Sequence, residues 1–136
     1  MNKILPLFLT FLFFSCAEDD VDNMKLQSVY TEIEIINCQN MSFSISSGGG
    51  TQSFTCSGNN YTFTTNTFQL SVIENTSFYY QLSVTPSNYN FTSCIDIVTR
   101  VYHNNSLYET RTYSLGLPPL PCSNPLLGEM YSIIAN

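Results

Sequence analysis

The sequence predicts an all-β protein: a disulfide-stapled antiparallel β-sandwich, with an Ig-like topology favoured over a small barrel. Three observations carry that expectation. Apolar and polar residues alternate in one short run after another from residue 29 onward. Clusters of Gly, Asn, Ser and Pro interrupt the runs at residues 48–50, 58–60, 75–77 and 86–88. Short alternating strands with turn signals between them are the pattern of a sandwich or barrel. The third observation is an even set of cysteines, Cys38, Cys56, Cys94 and Cys122, in a chain that opens with an export signal.

Composition agrees and removes some functions. A length of 136 residues suits one domain. Nine Tyr and ten Phe, with many Thr, Ile and Val, favour pleated, half-buried surfaces over helices. Charged residues make up 10% of the chain, against roughly 25% in an ordinary soluble domain. The polar surface must therefore be built from Ser, Thr, Asn and Gln. A net charge of −6 argues against nucleic acid as a partner, because phosphate binding needs a basic footprint. It equally disfavours electrostatic adhesion to anionic lipid.

Residues 1–15 place one cation, Lys3, ahead of an apolar run from Ile4 to Phe14 that ends on the small residue Ser15. That order is expected of a secretory signal peptide. The run falls short of the about 20 apolar residues of a membrane-spanning helix, and no later segment approaches that length. Cys16 follows, then Ala17, Glu18, Asp19 and Asp20. A small residue before a cysteine, directly after an apolar run, resembles the lipobox of bacterial lipoproteins. The resemblance covers the first twenty residues. It implies that the Cys16 sulfur carries a diacylglycerol, after cleavage just before it, and so a membrane partner through the N-terminal lipid. Phe13 and Phe14 depart from the commonest lipobox, but the aromatic approach is similar to that of Bacteroidota lipoproteins. In that group an acidic cluster behind the cysteine directs the protein to the outer face of the outer membrane. Glu18, Asp19, Asp20 and Asp22 match it in charge and position. The expected organisation is a signal peptide over 1–15, a lipidated acidic tether over 16–25 and a single β-sandwich domain over 26–136. Calcium at Asp20 and Asp22 is excluded, since the glycine and terminal glutamate of an EF-hand loop are absent.

With Cys16 assigned to lipid, the other four cysteines imply two disulfides. Three connectivities are open to them. If residues 41–46 fold back on 51–56 across Ser47, Gly48, Gly49 and Gly50, Cys38 ends near Cys56. Cys94 opens a later strand, and Cys122 follows the Pro118–Pro119–Leu120–Pro121 segment that leaves that strand's partner. Cys38–Cys56 with Cys94–Cys122 is thus the favoured pairing. No Cys-x-x-Cys spacing points to a metal.

The alternating runs follow in order. Val29, Thr31, Ile33 and Ile35 interleave with Tyr30, Glu32 and Glu34, and Met41, Phe43 and Ile45 with serines. Phe54 and Cys56, Tyr61 and Phe63, then Phe68, Leu70 and Val72 continue the period, as do Phe78, Tyr80, Leu82 and Val84. The clearest unit is a hairpin with Asn104–Asn105 at its tip, because Asn tolerates the left-handed turn conformation. That register sets Arg100 opposite Glu109, Val98 opposite Arg111 and Asp96 opposite Tyr113. Asp96, Arg100, Glu109 and Arg111 would then share one face as a charge ladder.

Catalytic chemistry is sparse, and a non-enzyme with no cofactor and no metal is expected. His103, the lone histidine, flanks the hairpin tip and reads as a solvated turn residue. Glu32 and Glu34 could mimic a glycosidase carboxylate pair, but solvent-facing strand residues explain them better. The glycine triplet at 48–50 lacks the Lys and helix of a phosphate loop. Thr62, Thr64, Thr65 and Thr67 form one short ladder without repeats. Tyr30, Tyr79, Tyr102 and Tyr113 read as outward-facing, with Leu107 opposite Tyr102. Tyr102, Leu107 and Tyr113 make the candidate binding face. The absence of Trp removes the strongest carbohydrate-stacking platform. The expected function is a surface-exposed outer-membrane lipoprotein acting as a non-catalytic binding or adhesion module with a protein or glycan partner. The alternatives are an accessory subunit of a larger envelope complex, or a eukaryotic secreted glycoprotein using the sequons at Asn40, Asn75, Asn90 and Asn104.

Overall fold

Period-two alternation becomes two stacked sheets. The computed structural model describes residues 23–117, 120–122 and 128–136. The signal peptide, Cys16, the acidic cluster up to Asp22 and the Pro118–Pro119 pair lie outside the described residues. The strands are β1 (Met24–Ile36), β2 (Ser42–Ser47), β3 (Gly50–Thr55), β4 (Asn60–Thr64), β5 (Phe68–Ile73), β6 (Ser77–Pro86), β7 (Ile95–His103), β8 (Ser106–Leu115) and β9 (Glu129–Ile134). β1 opens at Met24, two residues ahead of the expected domain start at residue 26.

One sheet runs β4-β1-β7-β8, with β5 also paired to β1; the other runs β3-β2-β6-β9. All pairings are antiparallel. β4 faces residues 32–36 of β1 and β5 faces residues 24–29, so together they act as one edge strand interrupted at Thr65. Thr65 still holds β1 there, its N–H donating to Thr31 O and its Oγ1 accepting from Thr31 N. The protein is a disulfide-stapled β-sandwich and not a closed barrel. Two antiparallel layers are what it shares with an immunoglobulin domain. Its chain path is different: an immunoglobulin domain lays its first two strands side by side in one sheet, whereas β1 and β2 here lie in opposite sheets.

Ile33, Ile35, Phe43, Ile45, Leu82, Val84, Ile95, Ile97 and Ile133 are buried between the sheets, each contributing on the order of 2 kcal/mol by leaving water. Phe54 on edge strand β3 stacks within 5.7 Å of Phe43, 5.1 Å of Tyr61 and 4.6 Å of Phe63, so rings seal that side of the sandwich. The glycine triplet tightens the same side. A Cβ on Gly48 would lie 2.7 Å from the Phe68 ring, and one on Gly49 would lie 2.8 Å from the Asn66 carbonyl oxygen. Only bare backbone fits there. Two hydroxyl pairs cross the core, Thr31 Oγ1 with Tyr80 OH at 3.1 Å and Thr99 Oγ1 with Tyr131 OH at 3.4 Å. They satisfy groups that burial would otherwise penalise.

Cys38 is bonded to Cys56 and Cys94 to Cys122. Both bridges lie at the end of the sandwich remote from Met24.

The β7–β8 hairpin corrects the expected register. Asn104 and Asn105 do occupy the left-handed region, at φ 47° and 64°, and Tyr102 pairs with Leu107 as expected. A bulge follows, in which Tyr108 and Glu109 together oppose Val101. Beyond it Arg100 faces Thr110, Thr99 faces Arg111 and Ile97 faces Tyr113. A one-residue slip sends every later side chain to the opposite face. Glu109, Arg111 and Tyr113 therefore turn toward the second sheet, while Asp96 and Arg100 stay outside. The four-residue charge ladder does not form.

Candidate functional site

The outer face of the second sheet is built from hydroxyls. Alternation along β2, β3 and β6 buries Phe43, Ile45, Leu82 and Val84, which leaves Ser42, Ser44, Ser46, Ser53 and Thr85 outside. The rows are in register: Ser42 pairs with Thr55, Ser44 with Ser53 and Thr85, and Ser46 with Thr51 and Ser83. Ser42 and Thr55 share a hydrogen bond of 2.7 Å. No charged residue occupies an outward position on the described strands of this sheet. Where the β2–β3 turn rises beside β6, a cavity of about 160 Å³ opens among Ser46, Ser47, Gly48, Gln81 and Ser83. Tyr79 is 67% exposed and stands two residues before Gln81 on the same face of β6, about 7 Å along the strand. Hydroxyls, one amide, one open aromatic ring and the exposed Met130, which pairs with Gln81, thus share this face without a formal charge. Periodicity alone exposed these serines, but only the sheet order shows that three strands bring them side by side.

The tyrosine-bearing face expected on the other sheet forms in part. Tyr102 stacks on Tyr30 at 4.9 Å with their planes 7° apart, and Leu107 lies beside Tyr102. Tyr113 does not join them, because the bulge turns it inward, where its hydroxyl is buried without a hydrogen-bond partner. On the same outer surface Arg100 bridges Glu32 at 2.9 Å and Glu34 at 2.7 Å. Both carboxylates are thus ion-paired to the one guanidinium. The hydrogen bond that Arg100 donates to Glu34 is the leading cause raising the guanidinium's pKa.

Inside the β8–β9 edge, Arg111 pairs with Glu109 and Glu129 and lies 4.4 Å over the Tyr131 ring. Tyr108 OH donates to Ser132 O at 2.6 Å and ties the two edge strands together. Burial is the leading cause that pushes the Tyr113 and Tyr131 hydroxyls above their ordinary range. These groups close the sandwich rather than face a ligand.

His103 is another correction. It is buried, with Nε2 2.7 Å from Gln27 Oε1 and its ring edge-on to Phe78. An amide oxygen can only accept, so Nε2 carries the proton. Gln27 is itself fully buried, and its Oε1 also accepts from Asn104 Nδ2. Burial lowers the pKa of His103. A group whose pKa is depressed on folding leaves stability intact above its unfolded value, near 6.5, and removes it as the pH falls below. The melting temperature is therefore expected to fall from pH 7 to pH 5. The fall should be smaller in His103→Gln, as followed by circular dichroism.

Asn40, Asn75 and Asn104, three of the sequon asparagines, adopt positive φ. Turn chemistry accounts for them. The Asn104 amide is also fully engaged, accepting from Ser28 N and donating to Gln27 and Asn136.

Among the described residues no group of three His, Cys, Asp or Glu is placed to hold a metal, and no helix is long and apolar enough to cross a membrane. No protein-family model matches the chain, and neither the curated proteins nor the solved structures compared with it gave a match.

Proposed function

We propose that this chain is a lipoprotein displayed at the outer-membrane surface, whose domain is a non-catalytic binding module for neutral, hydroxyl-rich ligands, glycans foremost. The observation that carries the binding half is the uncharged hydroxyl face, with its cavity beside Gln81 and the exposed ring of Tyr79 two residues along β6. Hydroxyl and amide groups both donate and accept, which matches a sugar's own hydroxyls. The exposed ring offers an apolar surface for a sugar's C–H face. A cavity of about 160 Å³ is below the roughly 300 Å³ at which pockets begin to enclose a small molecule. It suits contact with part of a larger glycan. Affinity at one such site is expected near the millimolar range, and display of many copies on one surface would raise it by avidity.

The anchoring half is supported by cysteine pairing. The four described cysteines bond to one another, which leaves the Cys16 sulfur for lipid. The non-catalytic reading is supported by the buried His103 and by the engagement of Glu32 and Glu34 with Arg100.

The test is glycan-array binding by the full chain isolated from membranes, repeated with Tyr79→Ala and Gln81→Ala. Each substitution is expected to weaken binding about tenfold, equivalent to about 1.4 kcal/mol. Absence of any retained glycan, or binding unchanged by both substitutions, would rule this face out.

A further inference from the structure

The two ends of the sandwich differ in chemistry. At the end where β1 starts, Met24, Leu26 and Ile73 project from the outer face of the first sheet, and Leu107 lies beside the β7–β8 turn. Ile134 projects from the outer face of the second sheet, opposite Ser77. Their exposures are 49%, 62%, 37%, 56% and 62% in that order, high for aliphatic side chains. Backbone bonds gather these segments at one end: Glu74 N to Asn23 O, Asn104 N to Ser28 O and Ala135 N to Thr76 O. The charged side chains there, among the described residues, are Lys25 and Glu74, and they neutralise each other at 3.6 Å. Glu32, Glu34, Asp96, Arg100, Glu109, Arg111 and Glu129 all lie farther along the strands. The opposite end carries both disulfides and the loops around Asn40 and Asn88, where the exposed apolar side chains are Tyr89 and Leu117.

The apolar end is also the one nearest the proposed anchor. Met24 follows Cys16 by eight residues, a reach of at most about 29 Å when fully extended. β1 alone, with 13 residues, is about 43 Å long at about 3.3 Å per residue. A tether shorter than the domain holds this end against the bilayer at high effective concentration. Electrostatic adhesion is unavailable to so acidic a chain, so the contact must be apolar. Aliphatic side chains set round the end of a sandwich on both faces suit shallow burial at the headgroup–acyl boundary.

We infer that the β1-start end, through Met24, Leu26, Ile73 and Ile134, is a lipid-contact surface that seats the domain on the membrane, with Leu107 higher up, at the level of Tyr30. This rests on the anchoring half of the proposed function. Seated so, the strands stand away from the bilayer, and the hydroxyl rows of β2 and β3 lie in solvent beyond Tyr79, which is two residues from Ser77 and the Ile134 row.

The chain has no Trp, so a single introduced indole reports its own surroundings. Leu26→Trp and Tyr89→Trp, both at exposed positions, are made in the full, lipid-bearing chain. Each is reconstituted into phosphatidylethanolamine–phosphatidylglycerol vesicles with brominated acyl chains. The indole at position 26 is expected to lose most of its emission and shift to the blue, while that at position 89 keeps its emission. Protein that floats with the vesicles but emits alike at both positions overturns the lipid contact and leaves the anchor standing. Protein that does not float with them overturns both.

Discussion

Reduction of both disulfides is expected to remove about 6 to 7 kcal/mol of stability and to unfold the domain near physiological temperature. The bridges span 18 and 28 residues. Closing loops of those lengths in the unfolded chain contributes about 3 and about 3.5 kcal/mol on the chain-entropy account. Whole domains hold only about 5 to 15 kcal/mol. Burial adds to the first figure, because Cys38 and Cys56 are fully inaccessible and pack with the core. The second bridge fastens β7 to the segment behind β8, where Cys122 fills the space a Cβ on Gly116 would need. Without it the covalent tie between Cys94 and Cys122 is lost, while β9 keeps its ladder to β6. Urea melts of the paired variants Cys38→Ala/Cys56→Ala and Cys94→Ala/Cys122→Ala check the individual losses, and a melt in excess reductant checks the sum. A reduced protein with an unchanged midpoint would mean that the core alone carries the fold.

The sandwich was legible because burial on one face of a strand writes itself as alternation. β1 is the clearest case: Val29, Thr31, Ile33 and Ile35 are buried and Tyr30, Glu32 and Glu34 look outward. The favoured cysteine pairing was legible for a related reason, since a tight β2–β3 turn forces Cys38 and Cys56 together. What failed to show was anything that depends on a single inserted residue or on contacts distant in sequence. The two-residue turn at Asn104–Asn105 was readable, but the bulge at Tyr108 was not. The reward for it lies on β9, in Ser132, Glu129 and Tyr131. That slip alone moved Tyr113 off the candidate face and split the charge ladder. Nearness to a turn says nothing of the burial of His103, which comes from Gln27 and Phe78 on two other strands. The hydroxyl face was present as alternating serines, yet ordinary polar decoration looks the same until strand order aligns the rows.

β9 was the strand missing from the periodicity, because Glu129 sits at an inward position and reads as exposed. Its central residue has the largest expected effect of any single side-chain truncation. Tyr131→Ala should cost about 3 to 5 kcal/mol, the range for removing a large buried aromatic ring. The ring is 1% exposed, lies 6.2 Å from Tyr80 and supports the Arg111 guanidinium from below. Removing it opens a cavity in the core and uncovers the ion-paired cluster of Glu109, Arg111 and Glu129. Those charges are about one-third exposed, so solvent would screen them and limit the additional loss. Tyr131→Phe separates the two contributions. It keeps the ring and removes only the hydroxyl that meets Thr99 at 3.4 Å, a change worth about 1 kcal/mol. Equilibrium urea unfolding of both variants is the measurement. A large loss for Ala with a small one for Phe would show that β9 closes the sandwich by packing. Similar losses for both would place its contribution in the buried hydroxyls instead.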